Sequence, residues 1–299
     1  MNHRAQIRML PDGQRVHMQD GPIDLIVQAF GASEEVARAY RSAAARFVSV
    51  LDELCVELTF LRQATRKTGL VPNGPVARRM VEAVRPFAAT CFITPMAAVA
   101  GAVAEEMLQA MTGATDLTRA YVNDGGDIAL CLAEGENFVV GMVERPERPS
   151  LFGTVTLDSS QPIRGIATSG WRGRSFSLGI ADAVTVLAEK AAMADAAATI
   201  IANAVDLPGH PAIGRARACD LAPDSDLGER LVTQSIGELS ACEINQALSS
   251  GVKMAESLRR AGLIHAAALS LQREVRVCGI EAGLELAGTA GPDRSLVHA

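Results

Sequence analysis

The longest periodic signal in the chain lies between Val36 and Leu61. Val36, Tyr40, Ala44, Phe47, Leu51, Leu54, Leu58 and Leu61 recur at spacings of four and three, which draws one apolar stripe along a helix. Ser33 precedes Glu34 and Glu35 as a candidate N-cap, with the acidic pair at the positive end of the helix dipole. The helix is expected to run to about Thr68-Gly69. Upstream, AQIRM and RVHMQ flank the turn Pro11-Asp12-Gly13-Gln14, a hairpin pattern, and PIDLIVQAF adds a third strand. A second helix is expected after Pro75. A third is expected over TPMAAVAGAVAEEM, with Thr94 as N-cap and Pro95 at the first helical position.

From Thr118 to Lys190 the period shortens to that of strands: TRAYVND, DIALCL, NFVVGMV, FGTVTL, PIRGIAT and DAVTVLAEK. Short turns such as AEGEN join some of them, which predicts an antiparallel or mixed sheet. ADAAATIIANAV returns to helix. Residues 206–230 carry Pro208, Gly209, Pro211, Gly214 and Pro223 and predict a long surface loop. A last helix is expected from Leu239 to Arg260, with Ile244, Leu248, Val252, Ala255 and Leu258 on one face and Gly262 at its end. HAAALSLQREVRVCGI then supplies one or two strands. The sum is an α+β fold, one unit over residues 1–299, with a mixed or antiparallel sheet flanked by helices.

Composition narrows the possible partners. Only 4% of the residues are aromatic, so the core is built mainly from Ala, Val, Leu and Ile, and few nucleobases could be stacked. Twenty-eight basic against 34 acidic residues give a net charge of -6. With no basic run or stripe, nucleic acid is not an expected partner. No stretch is long and apolar enough to span a bilayer. The amino-terminal MNHRAQIRMLPDGQRV lacks the apolar region of a secretory signal. The six cysteines are scattered without a C-x-x-C pair, which argues against a disulfide framework or a Cys-based zinc site. The expected compartment is the cytoplasm. The apolar stripe of the long helix packs either on the core or on a second copy of the chain, so a homo-oligomer stays open.

Three clusters carry residues that an ordinary core does not need. In YVNDGGDIAL a Gly125-Gly126 pair sits between Asp124 and Asp127, as a hairpin turn with two carboxylates at its base. In TSGWRGRS a strand ends at Thr168-Ser169-Gly170 and runs into Trp171, Arg172, Gly173 and Arg174. Two arginines two positions apart form a fork for phosphate or carboxylate if the loop is extended, and a basic surface loop if it is not. In ADAAATII, Asp195 and Thr199 lie one helical turn apart on one face. They are hard oxygen ligands of the kind Mg²⁺ takes, though the same pair also suits a solvated face. Small residues Ala97 to Ala102 of the third helix allow close approach. Its N-terminal N–H groups suit either an anion or tight packing.

In that order, YVNDGGDIAL, IATSGWRGR, ADAVTVLA and MADAAATIIANAV resemble the ApbE-like proteins of the flavin-transferase superfamily. The likeness covers about residues 90–205 by motif. It implies that Gly125, Gly126 and Asp127 lie beside a bound flavin nucleotide, and that Thr168, Ser169 and Gly170 border the same cleft. It also implies that Asp195 and Thr199 hold Mg²⁺. Arg172 and Arg174 would then meet an anionic group of a small phosphorylated ligand, FAD or a related flavin-like or pterin-like molecule. Flavin transferases carry a segment like H-x-I-D-P-x-T-G after T-S-G. Here only WRGRSFSLGIADAV separates Gly170 from Thr185, and no histidine falls between His17 and His210. Asp127 and Asp182 are left as candidate bases. Three readings follow: a Mg²⁺-dependent transferase-like enzyme, a non-catalytic binder of the same ligand, and an assembly subunit with a decayed cleft.

Overall fold

A computed structural model describes residues 4–66, 69, 71–143, 151–279, 284–286 and 296–298. The chain opens with β1 (Gln6–Met9), β2 (Val16–Asp20) and β3 (Ile23–Gly31), an antiparallel meander. Helices α1 (Ser33–Leu61), α2 (Pro75–Val84) and α3 (Val99–Thr112) follow. A short 3₁₀ turn, Pro95–Ala98, leads into α3. Then come β4 (Leu117–Asp124), β5 (Asp127–Leu132), β6 (Asn137–Val143), β7 (Leu151–Asp158), β8 (Gly165–Ser169) and β9 (Ala183–Ala188). The remainder alternates: α4 (Ala191–Ala204), β10 (Ile213–Arg217), α5 (Ala218–Leu221), β11 (Leu231–Ile236), α6 (Ala241–Arg260), β12 (Ala266–Leu271) and β13 (Glu274–Cys278). Short strands β14 (Leu284–Leu286) and β15 (Leu296–His298) close the chain.

Nine strands form one sheet in the order β1-β2-β3-β4-β5-β8-β9-β12-β13. Every neighbouring pair in it is antiparallel. Side chains alternate across a strand, and here each face has its own core. Ala120, Val122, Ala129, Ala167, Val184 and Val186 pack with the helices, around Phe47, Met80, Met107 and Ile201. Tyr121, Ile128, Leu130, Ile166 and Leu187 pack on the other face with Phe138, Val140, Val155 and Leu157. Those last four belong to β6 and β7 of a second sheet, ordered β14-β7-β6-β15. Burial on both faces is why β9 and β12 read as unbroken apolar runs: every residue of AVTVLA and AAALSL is buried. The fold is therefore α+β, a mostly antiparallel sheet flanked by helices.

Several local expectations need correction. The backbone is extended at Ala32, which makes no side-chain cap, and Ser33 is already helical. The helix ends at Leu61 rather than near Thr68, which lies outside the described residues. Its buried stripe is Ala39, Ala43, Phe47, Val50, Leu54 and Leu61, rotated so that Ala44 and Leu58 sit at the margin. Thr94 makes no cap bond either; its hydroxyl turns to Asp226. Residues 206–230 are not one loop, since β10 pairs antiparallel with β11 across them. Thr233 holds that hairpin to the body, donating from its N–H to the Ser177 carbonyl at 2.9 Å and from its hydroxyl to that of Gly179 at 2.8 Å. Helix α6 does start as a capped helix, with Ser240 and Glu243 in a reciprocal capping box. Among the described residues no helix is long and apolar enough to cross a membrane, and the six cysteines are free.

Candidate functional site

The C-terminal ends of β4 and β8 and the N-terminal ends of β5 and β9 lie at one end of the large sheet. Asp124 and Asp127 face each other across the last rung of β4 and β5. Gly125 and Gly126 between them have φ values of 64° and 116°, a turn that residues with a Cβ enter only with strain. The Gly126 N–H donates to Asn123 Oδ1 at 2.8 Å. The glycines and Asn123 thus make the turn, and the carboxylates are spent elsewhere. Asp124 is buried and accepts the backbone N–H of Asp24 on β3. Asp127 Oδ1 accepts the backbone N–H of Thr168 on β8 at 3.2 Å.

Helix α4 brings the third carboxylate. Asp195 Oδ2 accepts the N–H of Gly101, in the first turn of α3, at 3.1 Å. It also meets the backbone N–H of Ala100. These orphan N–H groups of α3, open to an anion on sequence grounds, are satisfied by a side chain from another helix. The approach needs Gly101, because a Cβ there would fall 2.4 Å from the Ala191 carbonyl oxygen. Thr199 lies one turn beyond Asp195, part-buried on the same helix face.

These three carboxylates lie within electrostatic reach of one another. Burial pushes the Asp124 carboxyl up to about 7; the neighbouring Asp24 charge adds to this, while Arg174 opposes it. Burial raises Asp127 well above the ordinary carboxylate range, with the charges of Asp195 and Asp124 adding. Asp195 is raised by burial and by Asp124 despite its two N–H donors. Like charges brought together out of water disfavour ionisation. A cation set among them would reverse that preference. Among the described residues no group of three or more His, Cys, Asp or Glu side chains is placed to hold a metal ion together.

The arginines diverge instead of forming a fork. Arg172 turns back over the Trp171 ring, 4.3 Å from its centroid, and its Nε donates to Asp182 Oδ1 at 3.0 Å. Arg174 Nη2 donates to the Pro22 carbonyl at 3.1 Å, and its Nη1 is close enough to touch a Cβ placed on Gly125. Only Arg174 lies over the glycine turn. Asp182 is a buried acceptor of three hydrogen bonds: Trp171 Nε1 also donates to Oδ1, at 3.1 Å, and the Gln272 N–H donates to Oδ2 at 2.6 Å. Gly170 lets β8 pass against this segment, its missing Cβ falling 2.3 Å from the Asp182 carbonyl oxygen. The Thr168 hydroxyl meets that of Thr185 at 2.9 Å, on the sheet face away from Asp127, while Ser169 pairs in register with Val184.

Two titratable groups escaped the sequence reading. Glu105 on α3 accepts the Ala192 N–H at 2.8 Å and so caps α4. His17 meets Asp24 at 2.7 Å through Nε2 and accepts from Arg8 Nε at 3.2 Å. This histidine lies two strands from Asp124 and on the opposite face of the sheet, so it stands outside the carboxylate cluster. An alternation signal, His17 between buried Val16 and Met18, shows only that it faces away from the helical core.

Fold and site together define an α+β protein whose sheet ends in a cluster of three carboxylates beside a glycine turn. A family model described as "AbpE bacteria" matches residues 7–277, and the chain belongs to that family. It is 37% identical over 149 residues to the UPF0280 protein of Methanopyrus kandleri, covering 50% of this chain and 56% of that one. It is 38% identical over 125 residues to the UPF0280 protein of Methanococcoides burtonii, covering 42% and 51%. The chain spans about half the length of the curated relatives it matches. The crystal structure of the Pseudomonas stutzeri flavinyl transferase ApbE in apo form is similar at 12% identity and a TM-score of 0.43, over 93% of this chain and 94% of that one. That likeness is too distant to transfer residue roles.

Proposed function

We propose that this protein binds a small phosphorylated heterocycle of the flavin class together with a divalent cation, between the glycine turn and α4. The observation that carries the reading is the convergence of Asp124, Asp127 and Asp195 from β4, β5 and α4, with burial raising each and the charge of Asp124 adding at Asp127 and Asp195. Membership of the "AbpE bacteria" family and the D-A-x-x-T spacing of Asp195 and Thr199 support it.

The donor set fits Mg²⁺. Asp127 gives Oδ1 to the Thr168 N–H, which orients the carboxylate and leaves Oδ2 to a cation, while Asp195 is held by the N–H groups of Gly101 and Ala100 with lone pairs to spare. Mg²⁺ commonly takes one or two protein carboxylates and completes its shell with water and substrate phosphate, so a three-carboxylate cage is not required. Thr199 is the further hard oxygen on the same face. When bound, the cation supplies charge neutralisation at the phosphate. The exposed Gly125 lets a planar ring or phosphate approach the backbone, with Arg174 beside it as the positive group.

Binding is better supported than group transfer. Asp182, one of two candidate bases, is tied down by Trp171, Arg172 and Gln272 and keeps a single lone pair, on Oδ2, so its carboxylate serves the loop first and a proton transfer only through that one position. Asp127 keeps one free oxygen, which the cation reading assigns to metal. The test is thermal unfolding with FAD, FMN and Mg²⁺, singly and in pairs. A native-state ligand at a hundredfold excess over Kd stabilises by about 2.7 kcal/mol, so flavin with Mg²⁺ should raise Tm beyond either alone. No shift with any combination would overturn the reading. The mass and absorbance of whatever is released on denaturation identifies the ring.

A further inference from the structure

Helix α1 buries one stripe, from Ala39 through Phe47 to Leu61. Its opposite, outward face carries Arg41, Ala45, Val48 and Asp52, with Ala37 and Val56 beside them. A surface helix ordinarily turns charge to water there. Here the one charged residue between Arg41 and Asp52, Arg46, turns away to Glu53 and Glu106, at 2.7 Å from each. Further along, Glu57 accepts the N–H groups of Asn73 and Gly74. Val56 is left 87% exposed, more than any other large apolar side chain among the described residues. We infer that a second copy of this chain docks on this face, α1 against α1, antiparallel about a two-fold axis between Ala45 and Val48.

The charges select that arrangement. Arg41 and Asp52 lie on one line along the helix, about three turns apart. Reversing α1 about the midpoint of Ala45 and Val48 sets Arg41 opposite Asp52 of the second copy, and the two-fold axis repeats the pair at the other end. The same register sets Ala45 opposite Val48, Ala37 opposite Val56 and Glu34 opposite Thr59, so like charges do not meet. Arg41 makes no ion pair or hydrogen bond among the described residues. Asp52, its side chain 69% exposed, holds Arg4 at 2.9 Å and keeps lone pairs for a second guanidinium. A parallel pair would face Arg41 with Arg41 and Asp52 with Asp52, and like charges set against each other oppose association. Ala44 and Ala45 beside the crossing let the axes approach to the near end of the usual range of about 8–10 Å. None of these residues belongs to the carboxylate cluster, so the contact and ligand binding there are independent.

Sedimentation equilibrium of the full chain over about 1–300 µM tests it, since one helix per subunit buries less than the standard ~1,600 Å² and associates reversibly. The parent should move from monomer to dimer mass across that range. Arg41→Asp and Asp52→Arg should each raise the dissociation constant about tenfold or more, because each sets like charges opposite at both ends of the pair. Mixed in equal amounts, the two variants should regain the parent's dimer, since one then carries both acidic positions and the other both basic ones. Ala45→Glu puts a good helix former at an exposed position and should dissociate the dimer while helical circular dichroism is kept. Lys253→Glu, an equal charge change on the exposed face of α6, should leave the dimer intact. The inference is overturned by a parent that stays monomeric throughout, by a dimer that survives Ala45→Glu, or by one that Lys253→Glu disrupts as strongly. A mixture of the two charge variants that stays monomeric overturns it as well.

Discussion

Asp195 and Glu105 cap each other's helices. Asp195 of α4 accepts the Gly101 N–H of α3 at 3.1 Å, and Glu105 of α3 accepts the Ala192 N–H of α4 at 2.8 Å. Each carboxylate satisfies first-turn donors of the neighbouring helix, where negative charge is favoured. The two helices are thereby locked in register, and the lock sets where Asp195 faces the turn. Loss of a capping acceptor costs about 0.5–2 kcal/mol. Glu105→Ala is expected to lose stability within that range in urea unfolding, while Glu105→Gln, which keeps an acceptor oxygen, loses less. Equal losses would show that charge, not the hydrogen bond, holds α4.

The same contact depends on absent atoms. A methyl group at Gly101 would sit 2.4 Å from the Ala191 oxygen, and one at Gly165 would sit 2.2 Å from the Ala191 nitrogen. Backbone on both sides leaves no flexible atom to yield. Overpacking of this kind costs about 1–3 kcal/mol, sometimes more. Gly101→Ala and Gly165→Ala should each lower the urea midpoint by that amount, and Gly101→Ala should also weaken Mg²⁺ binding by moving Asp195. A neutral Gly101→Ala would mean that α3 and α4 part without cost.

The carboxylate cluster makes stability fall as pH rises. Burial raises Asp124 to about 7 in the folded chain, and it raises Asp127 and Asp195 in the same direction. The ordinary value is about 3.9. Between those two values the folded state binds more protons than the unfolded, so the slope of unfolding free energy with pH is negative. This contribution is fully present below about pH 4 and is lost as pH climbs through about 7. Metal-free protein should therefore show a Tm at pH 8 lower than at pH 6. Asp124→Asn should flatten the profile, and Mg²⁺ should restore stability at pH 8 more than at pH 6. A profile unchanged in Asp124→Asn would assign the pH dependence to other groups.

Arg172 and Arg174, two positions apart, are expected to separate by phenotype. Arg172 pairs with Asp182, whose side chain is 2% exposed while the arginine's is 36% exposed. Removing one partner of a sealed pair costs about 3–5 kcal/mol. Solvent at Arg172 and the remaining donors, Trp171 and the Gln272 N–H, reduce that. Arg172→Ala should destabilise the fold measurably in urea with little direct effect on ligand affinity. Arg174→Ala should leave stability nearly unchanged and weaken flavin or phosphate binding about tenfold, as for one charge-assisted contact. The reverse pattern would place the anion beside Arg172.

What the sequence disclosed follows from the range of each interaction. The strands from β4 to β9 and helices α4 and α6 were legible because their burial repeats within a few residues. The β10 hairpin was not, since Pro211 and Gly214 mask a strand that depends on Thr233 reaching back to Ser177 and Gly179. In the site, Asp127, Asp195 and Thr199 stood out through motif spacing. The Asp195–Gly101 bond joins residues 94 apart in the chain, and no local pattern announces it. The expected arginine fork failed for the same reason: Asp182, ten residues beyond Arg172, sets the loop's conformation.

The last expectation concerns chemistry: this protein does not attach FMN covalently to an acceptor protein. Such transfer moves a phosphorylated group to a hydroxyl, which needs a placed base and charge stabilisation at the phosphate. Asp127, Asp195, Thr199 and Arg174 offer groups for the second. For the first, Asp182 accepts from three donors and Asp127 accepts the Thr168 N–H. His17 has one ring nitrogen against Asp24 and the other against Arg8, on a strand beyond β3. His210 meets Glu243 at 2.8 Å, beside the first turn of α6. Incubation with FAD, Mg²⁺ and an acceptor bearing a flavinylation motif should leave the acceptor dark in a fluorescence scan of the denatured gel. A flavin band on the acceptor would restore the transferase reading. If Asp127→Asn then abolished the band while Mg²⁺ still stabilised the variant, Asp127 would be the base.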